Sequence, residues 1–156
     1  MGALPLVQGQ GHSFGLALQW SPSFCLYAVT SPIGCGSSFT QTDEFYIHGL
    51  WTSDQADLPF ICTRSNTPKL VSPNLRFMMP TGQLLMNLQS LWPNLKAKGT
   101  IAKIWKHEYE KHGICYMISS NYFTKALVAY DDVLIEMKVH VGSSLYHSVL
   151  LPLGNF

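Results

Sequence analysis

Hydrophobic positions along the chain recur with two periods. Large and small residues alternate from Phe14 through Leu16 and Leu18 to Trp20, the period of two expected of a strand. Ser21, Pro22 and Ser23 then read as a turn. Phe45, Tyr46 and Ile47 open a second strand that the spacing ends at Gly49. Between positions 81 and 92, Leu84, Leu85, Leu88, Leu91 and Trp92 form one helical stripe, with Thr81 as cap and Pro93 as stop. Thr100 caps a second helix whose buried stripe is Ile101, Ile104, Trp105 and Tyr109, with Gly113 suited to the left-handed residue that closes it. Positions 119 to 130 make a third helix with Tyr122, Phe123, Ala126, Leu127 and Tyr130 inward. Beyond it Val133, Ile135, Met137, Val139 and Val141 alternate with Leu134, Glu136, Lys138 and His140 as a strand would. Strands and helices both recur along the chain, so a mixed fold of sheet and helices is expected.

At 156 residues the chain is long enough for one core and short for two, so a single domain over 1–156 is expected. Charged residues are only 12 % and the net charge is +1, which excludes a broad basic surface; any nucleic-acid contact must be local. No apolar run reaches the length of a bilayer span, the longest near the end being broken by His147, Ser148 and Pro152. The expectation is a soluble protein. Ala3 to Val7 is apolar but too short for a signal-peptide core, and residues 1–13 read as a leader remnant. No internal repeat, low-complexity tract or linker is visible. Cys25, Cys35, Cys62 and Cys115 include no C-x-x-C pair, so a disulfide framework in an oxidising compartment is expected, with three pairings open. Cys35 falls in a Ser- and Gly-rich loop over 30–42, and Cys62 in a second loop from Trp51 to Pro80. That loop also carries Asp54 and Asp57, which are base-contact candidates or solvated turn residues.

The chemistry concentrates in residues 105–115, WKHEYEKHGIC. On a helix Glu108 and His112 share one face, with Lys111 beside them and Trp105 one turn up. His107 and His112 are five positions apart, roughly 140° around a helix, so the zinc-gripping HExxH arrangement is excluded. The strand FYIHGLW over 45–51 supplies a further imidazole, His48.

Together these two stretches resemble the signature segments of the ribonuclease T2 family, close to HGLWP and HEWxKHGxC, with Thr52 and Tyr109 as departures. Gln19-Trp20 followed by Pro22, and Leu91 to Asn94, resemble further family segments. The resemblance covers 14–130. The resemblance implies an α+β fold, an antiparallel sheet packed with several helices; the family continues much further, so a ribonuclease T2-like core lacking its usual C-terminal part is expected, with 131–156 a divergent tail in which His140 and His147 are incidental.

The resemblance implies an endoribonuclease that cuts single-stranded RNA by transphosphorylation through a 2′,3′-cyclic phosphate. His48 and His112 would be the acid–base pair, with His112 as base and His48 as acid, an order that geometry can reverse. His107, Glu108 and Lys111 would bind and polarise the phosphate. An imidazole is half-protonated near pH 6.5, so two rings can start in opposite states. Glu108 beside a phosphate would have its pKa raised by like charge. Trp51 and Trp105, with Tyr46 and Tyr109 near them, are candidates to stack bases. Gln19 and Asn94 are candidates to read base edges; a core-strand and a helix-terminal turn role are their alternatives.

The implied disulfides are Cys25–Cys35 and Cys62–Cys115. No cofactor or metal is required, and DNA is excluded as substrate because it lacks the 2′-OH. The implied protein is a monomer, free of membranes, in a secreted or vacuolar setting. The competing expectation is a truncated relic that binds RNA or protein without cutting.

Overall fold

In the computed structural model the described residues are 13–29, 34–36, 44–53, 59–61, 76–114, 117–140 and 148–153. Four strands form one sheet in the order β3-β2-β1-β4, with every neighbouring pair antiparallel: β1 Ser13–Trp20, β2 Phe45–Ser53, β3 Pro59–Phe60 and β4 Ser148–Leu153. The helices are α1 Ser21–Val29, α2 Gly82–Leu91, α3 Ile101–Glu108 and α4 Ser119–His140. A π-helical turn, Tyr109–Gly113, continues α3. The fold is α+β as expected.

The pleat of β2 contains the feature that positions the site. Ile47 and Leu50 are both fully buried although three positions apart, which strict alternation forbids. Register explains it: Leu18 pairs Ile47 and Ala17 pairs Gly49, so His48 is the extra residue of a β-bulge. The bulge resets the alternation, lets Leu50 and Thr52 face inward, and turns the His48 side chain out. The strand therefore runs through Gly49 to Ser53, where the sequence reading stopped it.

Helix α4 covers the sheet and the other helices. Tyr122, Phe123, Ala126 and Tyr130 join Leu16, Leu18, Ile47 and Leu50 of the sheet, Leu88 of α2, and Trp105 and Tyr109 in one core. Two tyrosine hydroxyls tie it down: Tyr130 donates to the Phe45 carbonyl at 2.6 Å, and Tyr122 donates to the Leu50 carbonyl at 3.0 Å while accepting from the Leu50 N–H at 3.3 Å. Tyr122 thus grips β2 just past its bulge.

Several local expectations are corrected. Ser21, Pro22 and Ser23 open α1 instead of forming a turn, because a proline in a first turn loses no helical hydrogen bond. The alternating stretch after Val133 continues α4 to His140. The inward series Ala126, Tyr130, Val133 already had helical spacing, and extending a formed helix costs less than starting a strand. Thr81 stands at the head of α2 in extended backbone but makes no capping bond with its side chain, whereas Thr100 Oγ1 accepts from the Lys103 N–H at 3.4 Å as expected. Gly113 is not left-handed; the positive-φ glycines among the described residues are Gly34, Gly82 and Gly99. No helix among the described residues is long and apolar enough to cross a membrane.

The Cys25–Cys35 disulfide is present. Cys62, Cys115, Asp54, Asp57, His147 and the leader-like residues before Ser13 lie outside the described residues.

Candidate active site

Helix α3 brings the reactive residues in from one side. Its N-terminus is capped by Thr100. Past Glu108 the backbone widens: the Ile114 N–H reaches the Tyr109 carbonyl, five residues back, at 2.9 Å. Glycine is needed in this turn for space. A Cβ on Gly113 would lie 2.6 Å from Tyr122 Cδ2 and 2.7 Å from Tyr109 Cδ2. The turn keeps Glu108 and His112 together, with His112 Nε2 4.0 Å from Glu108 Oε2.

Strand β2 closes the site from the other side. The bulged His48 stands with Nε2 4.0 Å from Glu108 Oε1, and the Trp51 indole N–H donates to Glu108 Oε2 at 3.1 Å. Trp51 packs between the imidazoles, edge-on to His48 with centroids 5.5 Å apart and stacked on His112 at 5.8 Å and 27°. A Cβ at Gly49 would run into the Glu108 carboxylate and lie 2.6 Å from Trp51 Nε1, so only glycine lets strand and helix approach this closely. Tyr122 links the two sides, its hydroxyl also 3.4 Å from the Glu108 carbonyl.

The electrostatics follow from burial. Glu108 is almost fully buried, and desolvation raises its pKa above the ordinary carboxylate value. The Trp51 hydrogen bond and the charges of Lys111 and Lys96 act in the opposite direction without reversing the shift. Burial thus raises the Glu108 pKa without any phosphate beside it. His48 has its pKa lowered, first by desolvation and then by Lys96, Lys111 and His107. The two histidines differ in access: the His48 side chain is 45 % exposed and that of His112 only 4 %.

A cleft of about 320 Å³ opens beside these groups. His48, His107, Glu108 and Gln19 line it, together with Asn94 and Lys96; His112 does not. Gln19 is thus where a base-reading residue would stand. Asn94 spends its amide locally, donating to the Gly99 carbonyl at 3.1 Å and accepting from the Lys96 N–H at 2.9 Å, which is the turn role. Trp105 is corrected outright: it is fully buried and donates to the Trp92 carbonyl at 3.1 Å, leaving no face for a base. Tyr46 and Tyr109 are likewise buried, and Trp51 is held between the histidines by its bond to Glu108. The sequence reading passed over Lys96, whose field acts on both His48 and Glu108; the signal available was three lysines within eight positions just after Pro93 and Asn94.

An α+β core carrying a carboxyl group between two imidazoles is the class of protein that fold and site define. The Ribonuclease T2 family model matches residues 11–141, and the chain belongs to that family. It is 33 % identical over 99 residues to Ribonuclease T2 protein rnst-2 of Caenorhabditis elegans, a match covering 59 % of this chain and 33 % of the relative. Among solved structures, the self-incompatibility-associated SF11-RNase of Nicotiana alata superposes with a TM-score of 0.60 at 26 % identity, covering 85 % of this chain and 66 % of the other. Ribonuclease MC1 from bitter gourd seeds gives 0.55 at 26 %, covering 78 % and 58 %, and one of its mutants was solved in complex with 5′-GMP. The chain spans between 33 % and 56 % of the length of the first curated relatives it matches.

Proposed function

We propose that the chain is a metal-independent endoribonuclease that cleaves single-stranded RNA by transphosphorylation. One observation carries the reading: the buried Glu108 carboxyl group, held by Trp51, has one oxygen 4.0 Å from His48 and the other 4.0 Å from His112. The 2′-oxygen attacks the adjacent phosphorus and the bond to the 5′-oxygen breaks. His112 takes the 2′ proton and His48 gives a proton to the departing 5′-oxygen, leaving a 2′,3′-cyclic phosphate and a free 5′-hydroxyl. Hydrolysis of the cyclic product by the same groups in reverse restores both protonation states.

Lys111 and His107 supply positive charge to the five-coordinate phosphorus. Burial raises the Glu108 pKa and so favours its protonated form, which can donate a hydrogen bond to a phosphoryl oxygen. The lowered pKa of His48 moves the range in which it carries the acid's proton toward lower pH. DNA is not a substrate for want of the 2′-OH. The family and the Cys25–Cys35 bond support a secreted protein.

A second reading, a ribonuclease-like protein that binds RNA without cutting it, is favoured by the burial of His112 and its absence from the cleft lining. Incubation of single-stranded RNA with the chain at about pH 5 in EDTA, followed by end-group analysis, separates the two. Cyclic-phosphate ends made by the parent and not by His48→Ala or His112→Ala establish the enzyme. A folded parent that binds RNA and leaves it intact establishes the second reading.

A further inference from the structure

The lining of the cleft extends beyond the acid–base group. His48, His107 and Glu108 line it, and so do Lys96, Lys98 and Lys103. Glu108 is the one acidic residue in its lining, and among the described residues none of the three lysines is in an ion pair. In a chain of net charge +1 this is a concentrated positive patch. Lys96 lies close enough to act on His48, and Lys98 and Lys103 line the same cleft.

The patch sits on a pinned segment. Asn94 bonds across to Gly99, the Gly36 N–H donates to the Leu95 carbonyl at 2.9 Å, and the Ala97 N–H donates to the Gly34 carbonyl at 3.2 Å. Cys35, between those two glycines, is bonded to Cys25 of α1. Trp92, Pro93 and Ile104 give the cleft apolar walls, and its volume suits one nucleoside.

The direction of an RNA chain through the cleft follows from which histidine lines it. His48 does and His112 does not, so the cleft lies on the side of the proton donor. The group that receives its proton is the 5′-oxygen of the downstream nucleoside. That nucleoside occupies the cleft, and its 3′-oxygen carries the next phosphate. We infer that Lys96, Lys98 and Lys103 form an anion subsite for that 3′-phosphate, one residue beyond the cleaved bond. The inference rests on the assignment of His48 as acid, and it makes the preferred substrate an RNA that continues past the departing nucleoside.

The test uses a dinucleotide with 2′-deoxyribose, which cannot be cleaved, with and without a 3′-phosphate, titrated calorimetrically into the parent chain at about pH 5. The 3′-phosphate is expected to tighten binding about ten-fold, the scale of a charged group meeting charged donors. The gain should disappear in the Lys98→Gln/Lys103→Gln double variant and persist in Lys98→Arg/Lys103→Arg, which keeps the charge. Added salt should erode it. Equal affinity for the two ligands, no binding of either, or a full gain in the glutamine variant overturns the subsite. Cleavage of the matching ribonucleotides by the parent is scored separately. A 3′-phosphate gain without any cleavage leaves the subsite standing and overturns the ribonuclease reading alone.

Discussion

His48 and His112 are the same side chain at nearly the same distance from Glu108, yet the molecule makes them unlike. His48 is the surplus residue of a strand bulge and reaches solvent; His112 lies inside a π-helical turn, sealed by the core. Each sits where regular backbone is interrupted. A bulge turns a side chain off the pleat, and a widened helical turn re-aims one without ending the helix. Two identical imidazoles need opposite starting protonation states for acid–base work, and unequal surroundings are a physical means of giving them that difference.

The strongest way to break the comparison is to remove each ring. His48→Ala and His112→Ala should each lower kcat/KM for RNA by about 10²- to 10⁴-fold, the usual loss for one proton-transfer group. Their stabilities should part company. Denaturant unfolding is expected to show His112→Ala destabilised by roughly 2 kcal/mol through the void left in the core and His48→Ala within about 0.5 kcal/mol of the parent. Equal stability losses would mean that the two environments are not distinct.

Next in size is Gly113→Ala, which tests whether the π-helical turn depends on close packing. Its methyl group would meet the rings of Tyr122 and Tyr109, and overpacking of that kind costs roughly 1 to 3 kcal/mol in denaturant unfolding. Activity should fall with it as His112 shifts from Glu108.

A smaller effect sharpens the role of the carboxyl group between the rings. Burial raises the folded-state pKa of Glu108 above its unfolded value, so the group favours folding fully below the ordinary carboxylate pKa, and that contribution is lost as pH rises through the raised one. Glu108→Gln has no charge to bury and can still accept from Trp51. The melting temperature of the variant minus that of the parent should therefore become more positive from pH 4 to pH 7. A flat difference would mean that the carboxylate is fully compensated once ionised.

The smallest expected change concerns the exposed ring. After desolvation and Lys96, Lys111 contributes to lowering the pKa of His48, so Lys111→Ala should raise it, read from the pH dependence of the His48 ring signals in NMR without substrate. A further decrease would show that Lys111 acts on His48 by some route other than its charge.

Much of the site was legible along the chain because its residues are close in sequence. Glu108 and His112 share a helical face, Thr100 announces the start of α3, and the two motif segments name the family before any coordinates. Legibility failed where the surrounding chain outvoted the pattern of a short stretch. The alternation after Val133 suits a strand in isolation, but α4 continued through it. Trp105 and Trp51 look equally available for stacking in the sequence; burial and a hydrogen bond to the Trp92 carbonyl consumed the first, and a hydrogen bond to Glu108 constrains the second.

By itself, then, the sequence determined the chemical inventory: the imidazoles, the carboxyl group and the lysines, and the helix that carries most of them, since residue type and short spacing are local properties. Which histidine is open and which is sealed was decided only in three dimensions. The bulge at His48 exists because Leu16 and Leu18 of a distant strand must face Leu50 and Ile47, and the turn at His112 closes only around Tyr122. The pKa shifts depend on the same decision, because the burial that moves a proton equilibrium is a property of the packed chain.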